Sequence, residues 1–435
     1  MERLKKILWS ALTVSMRIGV LIWSALTVSM RIGVLIWSAL TVSMQIGVLV
    51  LGMVIGTERV EAVDLYVPSG YPTIQAAVNA ANSGDRIYVS AGTYNEAVYI
   101  NKRIALVGVG TPTITVKGLG DTNTVTFDGN VTNNASISGF RITGATDQYF
   151  LPNYGIGIYC NQGSPTITNN TISENYTGIC CSYSSPFITN NTISGNSWCG
   201  ILCDVFSSSP FITNNTIRNN WEGIFCIGGS SPTITNNTIS GNTYYGIDCC
   251  NSSSPSITNN TIKDNTNGGI FCNNSSSPSI TNNIITGNGT TSTNYYGIYN
   301  HPDYPGNPII DYNCVWGNDS PTTHNYYNCT PGINDISANP QFIGGADFHL
   351  QSTSPCIDKG SNTAHGIPNK DKDGKPRIVN SIVDIGAYEY QGTAPPPSQL
   401  EITTNSLLNG QVNYIYSQVL SATGGTAPYS WSKIS

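Results

Sequence analysis

The sequence predicts an all-β protein whose chain winds into a right-handed parallel β-helix, a solenoid, with a short N-terminal capping helix. Three observations predict this fold: a repeat of about 22 residues, Pro and Gly in the repeats, and apolar residues at fixed places in each repeat. The repeats begin at Ser164, Ser185, Ser209, Ser231, Ser254, Ser277 and Asn307. Their steps of 21, 24, 22, 23, 23 and 30 residues are too short for propeller blades, and Pro and Gly break helical repeats. Short strands stacked about 4.8 Å apart bury a shared core instead.

Each repeat carries two isoleucines that alternate with polar residues and therefore point inward. These predicted core columns pair Ile167 with Ile172, Ile188 with Ile193, Ile212 with Ile217, Ile234 with Ile239, and Ile257 with Ile262. The second Asn of each Asn-Asn pair persists through the last, degenerate repeat, so we expect it to form an inward ladder: Asn170, Asn191, Asn215, Asn237, Asn260, Asn283 and Asn313. Another unbroken column is a candidate second ladder: Asn175, Asn196, Asn220, Asn242, Asn265, Asn288 and Asn318. Stacked amides donate to one coil and accept from the other, which leaves no polar group unpaired.

A Gly-Ile-x-Cys run places six cysteines on the same face as the preceding Ile, and hence in the core. They are Cys160, Cys181, Cys203, Cys226, Cys249 and Cys272, with Asn300 in that place on the next coil. Our first interpretation is that reduced thiols pack there as small apolar side chains. Two alternatives stay open: disulfides between neighbouring coils of an exported protein, and a metal-binding thiol ladder.

The two ends of the chain differ in character from the repeats. Residues 1–62 start with Arg3, Lys5 and Lys6 and continue with an apolar tract built from a duplicated 14-residue unit. This pattern predicts an export signal cleaved near Ala62, or else a retained membrane anchor. A wrongly assigned start codon is the third alternative. We assign residues 63–392 to the β-helix and 393–400 to a Pro-rich linker. Residues 401–435 resemble the opening strands of immunoglobulin-like modules and are expected to be a truncated one, since the whole module needs about 100 residues.

Upstream of the repeats, a helix is predicted over residues 73–81, with Ile74, Ala77, Val78 and Ala81 on one face. It would cover the open end of the apolar stack, which must be capped. This helix, followed by Gly-x-Tyr-x-Glu at residues 92–96, resembles the opening segment of pectin-lyase-like β-helix proteins.

The repeats resemble those of the carbohydrate-binding and sugar-hydrolase β-helix module, and residues 347–390 are similar to the closing segment of anchored surface β-helix proteins. For this superfamily, the resemblance implies an outer groove along one sheet, where enzymes use acids, an Arg and sometimes calcium. The catalytic strings of polygalacturonases, pectate lyases and pectin methylesterases are missing from the chain. The resemblance therefore implies the fold and not a particular activity.

Three acids on successive coils are the best catalytic candidates: Asp204, Glu222 and Asp248. Two rungs and two residues separate Asp204 from Asp248, which puts their Cα atoms roughly 11 to 12 Å apart. Carboxylate pairs in hydrolases lie about 5 to 9.5 Å apart, so these side chains would have to lean together. Solvated surface acids are our first interpretation and a catalytic group is the alternative.

Aromatic side chains recur on the same face, either at the outward x position of Gly-Ile-x-Cys or in the turn just before it. The aromatic strip, as we call this set, consists of Tyr176, Trp198, Trp221, Phe225, Tyr244, Tyr245 and Phe271. Flat rings spaced by coils suit stacking on sugars, which present C–H faces, so these residues are candidate carbohydrate-binding residues. Coverage of the rings by loops is our first interpretation, and a strip that binds sugar or another partner is the alternative.

Few residues indicate a metal or a covalent modification. Asp371, Asp373 and Gly374 look like half a calcium loop, but Ile382 stands where an acidic residue is expected, so no cofactor is predicted and calcium remains the alternative. The four His residues are isolated from one another and are expected in loops. Asn169 and Asn190 lie in Asn-x-Thr sequences on outward turns and would carry glycans in a host that glycosylates exported proteins.

The charge of the chain limits the classes of partner that it is expected to bind. Charged residues make up 10% of the chain, and beyond residue 62 there are 13 basic and 22 acidic residues, a formal charge of -9. This balance argues against nucleic acid as a partner. The sequence favours an extracellular or cell-surface protein that binds a polysaccharide or cell-surface glycan, or is adhesive, without catalysis. The alternative is a polysaccharide lyase, hydrolase or epimerase acting in the outer groove of the β-helix.

Overall fold

In a computed structural model, the described residues are 61–392 apart from 118, 120, 121, 130, 147–154, 205–207, 290–295 and 319–323, a few helical positions between 13 and 24, and two short strands beyond residue 400. Residues 1–62 and 63–435 form two separate compact units. Nearly all of the predicted export signal or anchor, the linker, and most of the predicted immunoglobulin-like segment lie outside the described residues. No helix among the described residues is long and apolar enough to cross a membrane.

Three parallel sheets wind around one core, as the predicted β-helix requires, and each coil gives one strand to each sheet. Sheet A contains Asp64–Val67, Arg86–Ser90, Ala105–Val109, Ser136–Ser138, Thr166–Thr168, Phe187–Thr189, Phe211–Thr213, Thr233–Thr235, Ser256–Thr258, Ser279–Thr281 and Ile309–Asp311. Sheet B contains Thr93–Asn95, Thr113–Thr115, Arg141–Thr143, Thr171–Ser173, Thr192–Ser194, Thr216–Arg218, Thr238–Ser240, Thr261–Lys263, Ile284–Thr286 and Cys314–Trp316. Sheet C contains Val98–Ile100, Val125–Asp128, Ile156–Asn161, Thr177–Ser182, Cys199–Cys203, Glu222–Cys226, Tyr245–Cys249, Gly268–Cys272, Ile298–Asn300 and Tyr326–Tyr327.

Strand pairing keeps equivalent residues of successive coils in register. Ile167 pairs with Ile188 in sheet A, and Ile172 pairs with Ile193 in sheet B. All of the predicted core isoleucines are fully buried and belong to one apolar cluster that runs the length of the solenoid. The predicted core columns are therefore confirmed.

Both predicted Asn ladders are present. In each ladder the Nδ2 atom donates to the Oδ1 atom of the equivalent Asn on the next coil, as Asn191 does to Asn215 at 3.0 Å and Asn220 does to Asn242 at 3.1 Å. The first ladder ends on Asp335, whose Oδ1 atom accepts from Asn313. The second ends on Asn325, which accepts from Asn318. The first ladder lies at the two-residue turn between sheets A and B. The Asn that precedes each ladder Asn takes a left-handed backbone conformation, with φ near 56° at Asn169 and Asn190.

The predicted capping helix spans Ile74–Ala80, and the Thr73 side chain accepts a hydrogen bond from the Ala76 backbone N. Ile74, Ala77 and Val78 are buried against the first coils. The helix N-terminus is also held by Glu96, whose carboxylate accepts bonds from the first two helical N–H groups. The Glu of the Gly-x-Tyr-x-Glu string thus ties the cap to the solenoid.

A closing segment, residues 340–391, folds back onto the turns between sheets A and B. Two antiparallel strand pairs lie in it: Phe342–Gly344 with Asp347–Leu350, and Ile378–Val379 with Ile382–Val383. The first Asn of three Asn-Asn pairs donates to its carbonyl groups: Asn236 to Lys370, Asn259 to Asp384 and Gly386, and Asn282 to Ser361. Those three side chains are fully buried, whereas Asn169 and Asn190, beyond the reach of the segment, are exposed.

Beyond the closing segment, Glu401–Ile402 pairs antiparallel with Ala422–Thr423. The remaining residues of 401–435 lie outside the described part of the chain, so the immunoglobulin-like module stays a prediction.

Candidate functional site

The outer face of sheet C carries the predicted site, and the Gly-Ile-x-Cys run explains why. Ile and Cys point into the core, so the residue between them points outward and forms an outer file: Tyr159, Cys180, Leu202, Phe225, Asp248, Phe271 and Tyr299. The Gly of the run lies tight against the next coil. A Cβ at Gly223 would stand 2.3 Å from the Gly246 carbonyl oxygen and 2.8 Å from Ile239 Cγ2.

Rings of the aromatic strip stack on rings of the neighbouring coil. The ring centroids of Trp221 and Tyr244 lie 4.5 Å apart with planes 7° from parallel. Tyr245 and Phe271 lie 4.7 Å apart at 5°, and Tyr176 and Trp198 lie 5.4 Å apart at 28°. The spacing of stacked rings matches the coil spacing of about 4.8 Å, so rings at equivalent positions cover one another.

Because the rings stack on one another, only a small part of the aromatic strip is accessible to a ligand. Tyr245 and Phe271 are only 7% and 8% exposed. Tyr176, Trp198, Phe225 and Tyr244 are half-buried, and Trp221 is the most exposed of the seven at 38%. The seven rings lie on one face, as the repeat predicted, and contact one another. That most of their flat faces are turned toward each other could not be predicted from the sequence.

The structure brings together two of the three candidate acids. Glu222 and Asp248 interact with each other, and Asp248 stands in the outer file between Phe225 and Phe271. Asp204 is half-buried and acts electrostatically on Cys180 instead. The expectation of solvated surface acids is wrong for the pair, because Glu222 is 1% exposed and Asp248 6% exposed. The strip that surrounds them removes them from water.

Burial and proximity make this pair hold a proton at neutral pH. Desolvation, followed by repulsion from Asp248, raises the pKa of Glu222 to about 10. Desolvation also raises the pKa of Asp248 to about 6, opposed first by the hydrogen bond from Cys250 and then by the neighbouring Glu222 carboxyl group. Cys250 Sγ donates to Asp248 Oδ1 at 2.8 Å, and Cys199 Sγ donates to Glu222 Oε2 at 3.9 Å. Glu222 Oε1 is buried, and no described residue offers it a partner with hydrogen-bond geometry.

Behind the strip, the six cysteines of the Gly-Ile-x-Cys runs stand in register inside the core, each fully buried. They are free thiols in the structure. Hydrogen bonds from Cys203 and Cys249 lower the pKa of the central Cys226 to about 5, while the pKa values of Cys181, Cys203 and Cys249 are raised well above normal. No group of three or more His, Cys, Asp or Glu among the described residues is arranged to hold a metal ion.

The predicted calcium half-loop lies in the closing segment. Asp371 is fully buried, and its carboxylate accepts bonds from the backbone N–H groups of Asp373, Lys375 and Glu389. Asp373 bonds instead to His349 and Lys375, and these bonds help to lower the pKa of Asp373 to about 2. A calcium ion bound by both carboxylates would have to displace these partners.

Sequence reasoning missed an exposed aromatic pair on sheet A. Phe187 and Phe211 are in register, with centroids 4.9 Å apart and planes 9° from parallel, and are 38% and 45% exposed. Phe187 borders a surface groove of about 480 Å³ at the turns that lead from sheet C to sheet A. The signal was present in the repeats, where Phe replaces the Thr or Ser that follows Pro at these two positions alone.

Comparison with known proteins agrees with the fold. Residues 154–330 match the family model described as the right handed beta helix region. No curated protein matches the chain, whereas 19 chains of known structure do.

Among these are the pectate lyase Pel9A, at 16% identity and a TM-score of 0.48 over 76% of this chain and 96% of that one. An alginate lyase from Paenibacillus sp. str. FPU-7 is 16% identical, with a TM-score of 0.46 over 63% of this chain and 99% of that one. The mannuronan C-5 epimerase AlgE6 A-module from Azotobacter vinelandii is 16% identical, with a TM-score of 0.37 over 62% and 95%.

Proposed function

From the premise that this chain is a right-handed parallel β-helix protein, we propose that it binds a polysaccharide or cell-surface glycan through the outer face of sheet C without acting on it. The observation that carries the proposal is the Trp221 ring. It is exposed, and Tyr244 stacks on one of its faces. No second described ring stacks on Trp221, so its opposite face suits the C–H face of a sugar ring.

The surroundings of Trp221 supply hydrogen-bonding groups as well. Ser197 and Thr243 occupy the equivalent turns on the coils before and after it, and both are exposed. Their hydroxyl groups suit the hydroxyl groups of a sugar, which both donate and accept. Tyr244 stacks on Trp221 and contacts Tyr245 edge-on. These contacts hold Trp221 in a fixed orientation, which reduces the entropy lost on binding.

Two features support binding without catalysis. Glu222 and Asp248 have almost no contact with water or with a ligand on the surface, whereas a general acid must reach the atom that it protonates. The third acid, Asp204, is half-buried and acts electrostatically on Cys180 and Tyr159. We propose an extracellular or cell-surface location, supported by the basic start and apolar tract of residues 1–62. Attachment to the membrane through this segment is part of the same proposal.

Isothermal titration of the protein against a panel of neutral and acidic polysaccharides tests the proposal. We expect heat of binding for at least one member and a loss of that heat in Trp221→Ala. Tyr66→Ala is the matched control, since Tyr66 is an exposed ring on sheet A, stacked on Tyr88. The absence of heat for every polysaccharide, or equal binding by Trp221→Ala, would contradict it.

The second candidate is a polysaccharide lyase, hydrolase or epimerase. One observation favours it: a carboxyl group that keeps its proton at neutral pH lies beside a carboxylate and beneath the strip. An opening of the strip that admits a sugar would make this pair an acid and a base. An assay for released reducing ends or unsaturated products decides, and full activity in Asp248→Asn would exclude this assignment.

A further inference from the structure

We propose that the groove beside Phe187 is a second ligand site, separate from the aromatic strip, and that it takes a neutral oligosaccharide. Three successive coils form it at equivalent turns between sheets C and A. The described residues that line it are Gly129, Val131, Thr132, Asn133, Gln162, Ser164, Ser185 and Phe187. Its volume of about 480 Å³ falls within the range of small-ligand sites, about 300 to 1,000 Å³.

The ring of Phe187 gives the groove an apolar wall. One face of this ring lies against Phe211 on the following coil. On the preceding coil the residue in register is the smaller Thr166, so the second face of Phe187 is turned toward the groove. An exposed, fixed ring face next to polar groups suits a sugar ring, which has an apolar face and a polar edge.

Polar groups without internal partners line the rest of the groove. Among the described residues, the side chains of Thr132, Asn133 and Gln162 form no hydrogen bond within the protein, and all three are exposed. The hydroxyl oxygens of Ser164 and Ser185 accept bonds from the backbone N of Ser185 and Ser209, at 2.9 and 3.2 Å. Each serine keeps its own O–H to donate. The groove thus offers both donors and acceptors to sugar hydroxyl groups.

The lack of charged groups among the described lining residues indicates which class of sugar the groove would bind. None of the described residues that line the groove is charged. A uronic acid brings a carboxylate, whose recognition calls for Arg or Lys. Desolvating that carboxylate without a cationic partner is unfavourable. The groove therefore selects neutral sugars over acidic ones, and this selection does not depend on whether the aromatic strip binds a glycan.

Titration calorimetry with the intact protein tests the proposal, using the hexaoses of glucose, mannose and xylose against oligogalacturonate and oligomannuronate. We expect at least one neutral hexaose to bind, and to bind about tenfold more weakly to Phe187→Ala, since an aromatic contact of this kind contributes about one factor of ten. Phe187→Trp should retain binding. Because Phe187 is exposed, an unchanged melting temperature shows that the variant is folded.

Tyr66→Ala is the matched control, since Tyr66 is an exposed ring that does not line the groove, and it should leave hexaose binding unchanged. Three results would overturn the proposal: no neutral hexaose binds, acidic oligomers bind through Phe187 equally well, or binding is lost in Trp221→Ala and kept in Phe187→Ala. Glycan binding at Trp221 and oligosaccharide binding at Phe187 are tested by different variants, so either proposal can fail while the other holds.

Discussion

The Oδ1 atom of Asn237 accepts two hydrogen bonds from Asn215, one from its backbone N at 2.9 Å and one from its Nδ2 at 3.1 Å. Asn237 Nδ2 in turn donates to the carbonyl oxygens of Ile212 and Thr235 and to Asn260 Oδ1. One side chain therefore satisfies the turns of three coils. The same pattern repeats along the ladder, so the turns stay in register although the loops elsewhere vary in length.

Replacing Asn237 with Leu should lower the free energy of unfolding by about 1 to 3 kcal/mol, because Asn215 loses its acceptor and buried carbonyl groups lose a donor. Urea unfolding followed by circular dichroism measures it. Asn307→Leu is the control, since Asn307 is exposed and its side chain has no described partner. We expect this control to stay within about 0.5 kcal/mol of the unchanged protein. A cost for Asn237→Leu no greater than for the control would contradict the ladder.

Replacing Asn259 with Gly should loosen the closing segment. The Asn259 amide donates to the carbonyl oxygens of Asp384 at 2.9 Å and Gly386 at 3.2 Å. Gly accepts the left-handed backbone at this position, so only the side chain is lost. Hydrogen exchange of residues 355–391 should become faster. Asn169→Gly makes the same change at an exposed position, and equal exchange in the two variants would refute the docking role.

Glu222→Gln should become more stabilising, relative to the unchanged protein, as pH rises from about 6.5 to 9. The folded pKa of Glu222 is raised to about 10 from a normal value of 4.5, so between these values the folded state binds the extra proton and loses stability as pH rises. Gln is neutral and removes this loss. The difference in melting temperature between the two proteins, measured across this range, should widen in favour of the variant. Asp303→Asn, at an exposed position, is the control for the loss of one carboxyl group. A constant difference for Glu222→Gln would mean that its carboxyl group is ionised in the fold.

The cysteine column should react slowly with a thiol reagent in the native protein, since burial protects it. Unfolding in denaturant without reductant should release 12 reactive thiols, the number of cysteines in the chain. A count lower by a multiple of two would show that neighbouring coils are joined by disulfides, the alternative that the sequence left open.

The repeat made much of the fold predictable. Once the period was identified, alternation placed Ile167 in the core and Asn170 in a ladder, because stacking fixes each position relative to the one 21 to 24 residues away. The capping helix followed from its apolar face. These features depend on local pattern and on neighbouring coils alone.

The remaining features depend on contacts between residues that the repeat does not relate to one another. Asn259 bonds to Asp384, 125 residues further along the chain, so its burial could not be read from the repeat. The burial of Glu222 and Asp248 depends on how side chains of adjacent coils fill the space above them. Phe187 departs from the repeat consensus, but the groove beside it is visible only in the structure.

The most direct test of the account is the distance between equivalent positions on distant coils. Glu174 and Asp264 are exposed and occupy the same place in coils that lie four steps apart along the second ladder. With p-acetylphenylalanine at both positions, spin-labelled through its ketone, pulsed electron paramagnetic resonance should give a narrow distribution near 20 Å, since four steps of about 4.8 Å separate them. A broad distribution, or one centred beyond about 35 Å, would show that the coils do not stack in register.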